Sequence, residues 1–179
     1  MTLRCEIETE RLKVKALTAE ELKQHVQSPD NFANKSGLKP SSSLIDDQTH
    51  KAILNDLLPN VDNPAKDYLF YTMWIIIHKQ QKTIIGGLCF HGEPDENGEV
   101  EIGYGIDNNY RNQGFMYEAL IGLIDWLKNT SKVEFITAET EYSNSASIKL
   151  LKKVGFEKVK KTNNFLSLRL QISKCTLTN

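Results

Sequence analysis

The stretch that decides the fold reads Val100-Glu-Ile-Gly-Tyr-Gly-Ile106, then Asp107-Asn-Asn-Tyr110, then Arg111-Asn-Gln-Gly-Phe-Met-Tyr-Glu-Ala-Leu120. Residues 100–106 alternate apolar and other side chains, the period of a half-buried strand. From Met116 onward, Ala119, Leu120, Leu123, Ile124 and Leu127 recur at three- and four-residue spacing, the stripe of an amphipathic helix. The Arg111–Gly114 turn therefore sits where a strand feeds a helix. Such a junction aims several unpaired backbone N–H groups, and the positive end of a helix dipole, at one point. An anion such as a phosphate can be held there by the backbone itself. Taken alone, the same turn is equally a plain connection whose glycine serves an awkward backbone angle. Gly103 and Gly105 are followed by Asn108 rather than a third glycine, and no Walker pattern is present, so NAD and ATP fit poorly.

Outward toward the N-terminus, Thr83–Phe90 and Tyr68–His78 read as two more strands, joined through Gln80-Gln81-Lys82 and followed by turn chemistry at Pro94–Gly98. Three consecutive strands with short connections favour an antiparallel meander. Arg11–Leu17 alternates as a first strand. Thr18 followed by Glu21 has the spacing of a capping box, opening a helix through about Gln27 that Ser28-Pro29-Asp30 ends. Residues 30–45 read as a long loop, and Asp46–Leu58 as a helix stopped by Pro59. Toward the C-terminus, Phe135–Glu139 is a short strand expected to run parallel to the 99–107 strand, because a helix separates them. A helix over Asn144–Val154 stops at Gly155. Phe156–Lys161 and Phe165–Ile172 close the chain as a hairpin. The order predicts one α/β domain over residues 1–179 on a mixed, mostly antiparallel sheet of about seven strands flanked by helices.

The totals bound the rest. With 179 residues, 40% hydrophobic and 25% charged, the chain can build a sizeable core. A net charge of −1 gives no global attraction to nucleic acid or an anionic membrane. Cys5, Cys89 and Cys175 are odd in number and scattered, which suggests reduced thiols in a cytoplasmic protein. The polar N-terminus is no signal peptide, and the apolar run near Met73–Ile77 is far shorter than the ~20 residues a membrane span needs. The lysines at 149, 152, 153, 158, 160 and 161 read as a solvated face. Cys89-x-His91 lacks a second ligand pair, so no metal is expected.

Asn144-Ser-Ala-Ser147-Ile-Lys-Leu-Leu-Lys-Lys-Val-Gly155-Phe156, a helix opened by Asn and closed by Gly-Phe, adds a second motif in the right order and separation. With it the chain resembles the GNAT superfamily of acyl-CoA N-acyltransferases over roughly residues 7–173. Arg111-Asn-Gln-Gly114-Phe-Met116 resembles the family's Arg/Gln-x-x-Gly-x-Gly/Ala turn, departing from it at Met116. Tyr117-Glu118-Ala119-Leu120 resembles the Thr-Glu-Ala-Leu that follows. Glu101-Ile-Gly-Tyr104 and the Asn144 helix are similar to the branch that acetylates ribosomal-protein N-termini (RimJ/RimL-like).

The resemblance implies that acetyl-CoA, as cosubstrate, lies in a V-shaped gap between the 99–107 and 135–139 strands. Its pyrophosphate would meet the backbone of Arg111, Asn112, Gln113, Gly114, Phe115 and Met116. Its pantetheine arm would pair near Tyr104 and Ile106 on one side and Asn144 on the other. Met116 is expected to point inward, on the apolar face of the helix. One or two of the lysines would meet the 3′-phosphate.

Amide formation from an amine and a thioester calls for a base and a group that handles the leaving thiolate. Glu101, in mid-strand between Val100 and Ile102, is the leading base, on the expectation that it is desolvated. His91, at the end of the neighbouring strand, is the other candidate, since histidine ordinarily titrates near neutrality. Glu101 on a solvated face and His91 as a surface residue are the plain alternatives. Leu151 occupies the position where many family members carry an acidic tyrosine. Ser147 of the RimL-like pattern is the candidate acid, with Tyr142 behind it; a serine there is also a common helix-capping choice. The expected activity is direct transfer of an acetyl group to a primary amine, on a small molecule or a protein N-terminus. The acceptor would sit among the helices and loop of 18–64, Trp74, His91 and residues 163–168, with the 30–45 loop setting specificity. A non-catalytic acyl-CoA-binding module on the same fold is the alternative, and homodimerisation is left open.

Overall fold

In the computed structural model, residues 6–41, 50–51, 53–129 and 132–172 are described. One eight-stranded sheet runs through them in the order β1-β2-β3-β4-β5-β6-β8-β7. The strands are β1 (Glu6–Glu8), β2 (Leu12–Ala16), β3 (Met73–His78), β4 (Thr83–Phe90), β5 (Glu99–Ile106), β6 (Phe135–Glu141), β7 (Glu157–Lys161) and β8 (Phe165–Gln171). The α-helices are α1 (Ala19–Gln27), α2 (Pro29–Lys35), α3 (Leu58–Val61), α4 (Phe115–Leu127) and α5 (Ser145–Val154). A π-helical turn at Ile53–Leu57 leads directly into α3. Every strand pair is antiparallel except β5 with β6, as the helical crossover between them requires.

The central strands lack alternation because both of their faces are covered. β3 is buried at every position and β4 at all but one, whereas β2 keeps the alternating pattern of a strand nearer the edge. One core, with Trp74, Phe90, Leu120, Leu123, Ile136 and Leu168 among its members, lies between the sheet and the helices α4 and α5. A second, holding Leu22, Phe32, Ile53, Leu57, Ile75 and Ile84, lies beneath α1, α2 and the π-turn. The sheet thus separates two compartments.

Several local expectations hold. Thr18 closes a full capping box with Glu21, and Gly155 caps α5 in the left-handed region at φ +112°. Others are corrected. Pro29 does not open a loop; its fixed φ suits the first turn of a helix, and α2 occupies Pro29–Lys35. Pro59 likewise sits inside the first turn of α3 rather than stopping a helix. Tyr68–Phe70 is a 3₁₀ turn, so β3 begins only at Met73. The three residues of β1, too few to show a period, make an eighth strand against β2. The expectations for residues 42–49, Cys5 and Cys175 lie outside the described residues.

His25 on α1 is buried, its ring edge-on to Phe32 at 5.1 Å, and neither ring nitrogen has a hydrogen-bond partner. Burial alone drives its pKa down from 6.5 to about 4. The unfolded chain therefore binds a proton that the folded chain refuses. Stability should be whole above pH 6.5 and fall by about 3 kcal/mol as the pH drops toward 4. Chemical denaturation across that range should show the decline in the native protein and a flatter curve in His25→Leu.

Candidate active site

β5 and β6 pair over three positions only, Glu99 with Phe135, Val100 with Ile136 and Glu101 with Thr137. Beyond them β5 stays bound to β4 as far as Ile106, and β6 stays bound to β8 as far as Glu141. The two strands are held from outside and part on the inside. Their facing backbone edges, from Ile102 and from Ala138 onward, form no ladder with each other. A V-shaped gap follows, as expected, and its walls carry peptide groups available to an extended polar chain.

The mouth of this gap is the turn before α4. Asp107 caps a 3₁₀ turn at Asn108–Tyr110, accepting from Asn109 N at 2.9 Å, and Ser41 Oγ donates to its other oxygen at 2.8 Å. Asn112 and Gly114 both take left-handed backbone angles, φ +59° and +79°. Backbone of this kind turns successive N–H groups into a concavity that suits an anion. Gly114 is the N-cap of α4 and offers no side-chain acceptor to the helix's first N–H groups. Phe115 and Met116 are buried at 5% and 6% exposure, so the methionine points into the core and leaves the concavity unobstructed. Arg111 and Gln113 are exposed at its rim.

The turn is braced by groups that the sequence reading did not single out. Glu118, one turn into α4, accepts from Thr9 Oγ1 at 2.6 Å, from the Arg11 amide at 2.7 Å and from Arg11 Nε at 2.6 Å. Arg11 Nη1 donates to the Gln113 carbonyl at 3.1 Å, and its guanidinium lies 4.4 Å from the centre of the Phe115 ring. One arginine beside the first strands thus holds both the carbonyl inside the turn and the helix that follows. Glu118 stood within the Glu-Ala-Leu resemblance, but nothing local marks Arg11 as its partner.

At the far wall, Asn144 caps α5, its Oδ1 accepting from Ser147 N at 3.0 Å. The Ser147 hydroxyl lies 2.8 Å from the Tyr104 phenol, so a hydrogen bond crosses from α5 to β5. Ile106 is half-buried, and its backbone is paired with Gly86 on the β4 side. Tyr142 is half exposed, with Lys161 Nζ 4.2 Å from its ring centre. Leu151 is fully buried in the core.

On the opposite face of the sheet, a cavity of about 640 Å³ opens between the π-turn and strands β3 to β5. Ile53, Leu57, Met73 and Tyr71 give it an apolar lining, with Asp56, Asn60 and His91 as polar groups. Glu101 is not desolvated: its side chain is 46% exposed and pairs with His91, Nδ1 to Oε1 at 3.1 Å. The strand's alternation places Glu101 on the helix-poor end of that face, where Val100 and Ile102 point the other way. Two residues considered as rival bases are therefore partners. A Cβ at Gly103 would stand 3.1 Å from His91 Nε2, so the bare glycine admits the imidazole against β5. Cys89 lines the same wall; burial pushes its thiol up to about 11, opposed by the Gly103 N–H and reinforced by the Glu101 charge. A thiol so protonated is a poor nucleophile.

The acceptor-pocket expectation needs two corrections. Trp74 is fully buried in the core on the α4 side, its Nε1 donating to the Leu69 carbonyl, and cannot line the cavity. Residues 163–168 do not line it either, because β8 pairs with β6 beyond the gap. Among the described residues no group of three or more His, Cys, Asp or Glu side chains could hold a metal ion. No helix among them is long and apolar enough to cross a membrane.

A parting parallel pair, an anion-ready turn at a helix start and a capped helix on the far wall define an acyl-CoA transferase architecture. A family model described as "Acetyltransferase (GNAT) domain" matches residues 11–157, and the chain belongs to that family. Among curated proteins it is 42% identical over 86 residues to the uncharacterized N-acetyltransferase YjdG of Bacillus subtilis (strain 168). That match covers 48% of this chain and 51% of the relative. It is 39% identical over 83 residues to the uncharacterized N-acetyltransferase p20 of Bacillus licheniformis, covering 46% of this chain and 47% of the relative. The matched part spans about half the length of each relative. Among solved structures, the ribosomal-protein-S5-alanine acetyltransferase from Vibrio fischeri superposes with a TM-score of 0.66 at 19% identity, covering 94% of this chain and 97% of that one. RimL, a ribosomal L7/L12 alpha-N-protein acetyltransferase in complex with coenzyme A, gives a TM-score of 0.65 at 18% identity, covering 93% and 98%.

The Glu118 cluster makes a testable claim. Burial alone would raise its carboxyl, but the hydrogen bonds from Thr9 and Arg11 outweigh burial and hold it below the ordinary 4.5. A depressed native pKa contributes stability that is whole above pH 4.5 and lost as the pH falls through the native value. Glu118→Gln should cost about 1–3 kcal/mol at neutral pH, and the gap to the native protein should close in acid. Thermal unfolding at a series of pH values measures both.

Proposed function

We propose that the protein is an acetyl-CoA-dependent N-acetyltransferase that moves the acetyl group to a primary amine by direct attack. The observation that carries this reading is the gap itself. It opens just past Glu101, at the level where the cavity with His91 approaches β5 from the other face, and its mouth is the concave turn at Arg111–Gly114. A thioester arm lying between β5 and β6 would end beside the cavity in which an amine is held.

The chain's own groups fit that chemistry. N–H groups from Asn112 to Met116 receive the pyrophosphate, and the free edges near Tyr104, Ile106 and Asn144 receive the amides of the pantetheine arm. His91 is the base, with Glu101 as the residue that orients it. The carboxylate takes the Nδ1 hydrogen, fixing the tautomer in which Nε2 is an acceptor for a proton from the amine. Nitrogen then bonds the acetyl carbon, the carbon–sulfur bond breaks, and its electron pair leaves with sulfur. Because Cys89 stays protonated, a covalent acetyl-cysteine relay is disfavoured against direct transfer. The Ser147 hydroxyl is the candidate donor to the leaving sulfur. For the acceptor, the apolar wall with Asp56 and Asn60 suits an amine on a partly apolar body. Protein N-terminal amines lead the candidates, since one fold relative is named an alpha-N-protein acetyltransferase and another is described as modifying an N-terminal serine of a ribosomal protein.

Titration calorimetry should detect coenzyme A, and thiol release from acetyl-CoA should require an amine from a panel of peptides and small amines. His91→Gln should lower kcat about 100-fold or more while leaving the KM for acetyl-CoA nearly unchanged. Full activity in that variant would remove His91 as base. Binding of coenzyme A without turnover on any amine would overturn the catalytic reading.

A further inference from the structure

The hydrogen bond between Tyr104 and Ser147 is not explained by either the sheet or the helix cap. Tyr104 stands three residues past Glu101, on the part of β5 that β6 no longer accompanies. Ser147 belongs to the first turn of α5, the helix that follows β6. Their 2.8 Å contact spans the gap from one wall to the other. Ser147 is held there by its own backbone N–H, which the Asn144 side chain accepts, so its hydroxyl is not needed for the cap. The Tyr104 ring packs against the larger core and fixes the phenol in place.

A serine hydroxyl has one hydrogen and two acceptor sites, and a phenol is the more acidic group of the two. Either hydroxyl can donate across this contact, and the more acidic phenol is the stronger donor. Burial pushes its pKa up, the bond to Ser147 pulling partly the other way, so it keeps its hydrogen at neutral pH. With one acceptor site of Ser147 filled, the serine's hydrogen is left for a third group in the gap.

Resting on the acetyltransferase reading above, we infer that Tyr104 is a positioning residue for the leaving group: its phenol donates to Ser147 Oγ and commits the serine hydrogen to the sulfur of coenzyme A. The bond accounting stays simple. The new carbon–nitrogen bond forms, the carbon–sulfur bond breaks, sulfur keeps the pair, and the amine proton goes to His91. No proton changes owner between Tyr104 and Ser147. The thiolate is stabilised by a charge-assisted hydrogen bond and takes a proton from solvent on release.

The test reads the thiol of bound coenzyme A directly, by the ultraviolet absorbance of its thiolate across a pH series. In the native protein the bound thiol should ionise at lower pH than free coenzyme A. Tyr104→Phe keeps the ring packing and should move that ionisation back toward the free value by about one unit. Ser147→Ala should do the same, and the double variant should go no further than Ser147→Ala alone, because the phenol acts through the serine. In turnover, Tyr104→Phe should lower kcat about tenfold with an unchanged KM for acetyl-CoA. A phenol that only latched α5 to β5 would change thermal stability or coenzyme A affinity and leave the thiol ionisation alone; that result overturns the inference. If coenzyme A binds the native protein but its thiol ionises as in free solution, the inference falls and the acetyltransferase reading stands. If coenzyme A does not bind at all, both fall.

Discussion

The structure depends on one pairing that stops early. β5 and β6 share three parallel positions and then diverge, because each is claimed by a different antiparallel neighbour. Elsewhere in a folded sheet an unpaired interior edge would carry the cost of unsatisfied peptide groups. Here the two open edges line a gap, with their facing peptide groups outside any ladder between the two strands. The crossover helix α4 is also what makes the pair parallel, so the same connection supplies the gap and, at its N-terminus, the anion-ready turn.

The turn is shaped by conformation and braced by charge. Two left-handed residues, Asn112 and Gly114, set its concavity. Such angles cost an ordinary residue of order 1–2 kcal/mol but come cheaply to asparagine and glycine, and side chains from elsewhere brace the turn they make. Arg11 and Glu118 do so from the start of the chain, tying the Gln113 carbonyl, the Phe115 ring and the first turns of α4 to the hairpin of β1 and β2. The charged pair is partly screened by water, and its worth lies as much in geometry as in energy. The cavity with His91 meanwhile reaches β5 at Gly103, Tyr104 and Gly105, on the stretch of the strand that β6 no longer accompanies.

Residues whose roles are set by neighbours along the chain were readable in advance. The capping box at Thr18, the caps at Asn144 and Gly155 and the inward turn of Met116 all follow from short-range spacing. Pro29 ends α1 as expected, but the loop expected after it and the stop expected at Pro59 both gave way to a helix start, for one local reason. Proline ends one helix and, with the same fixed φ, begins another. The desolvated Glu101 failed for a different reason: flanking apolar residues on a strand face the opposite side, so they say nothing about the solvation of the residue between them. Trp74 failed likewise, since a strand buried on both faces offers no period by which to choose a side.

From sequence alone came the class of fold, the order of most of its elements, and the strand–turn–helix junction at Arg111–Gly114. These rest on periodicity and on caps, which act over three or four residues. Tertiary structure alone decided which side chains meet. Glu118 finds Arg11 across 107 positions, Tyr104 finds Ser147 across 43, and His91 finds Glu101 from the adjacent strand. Such meetings depend on strand register and crossover geometry, and no local pattern encodes them.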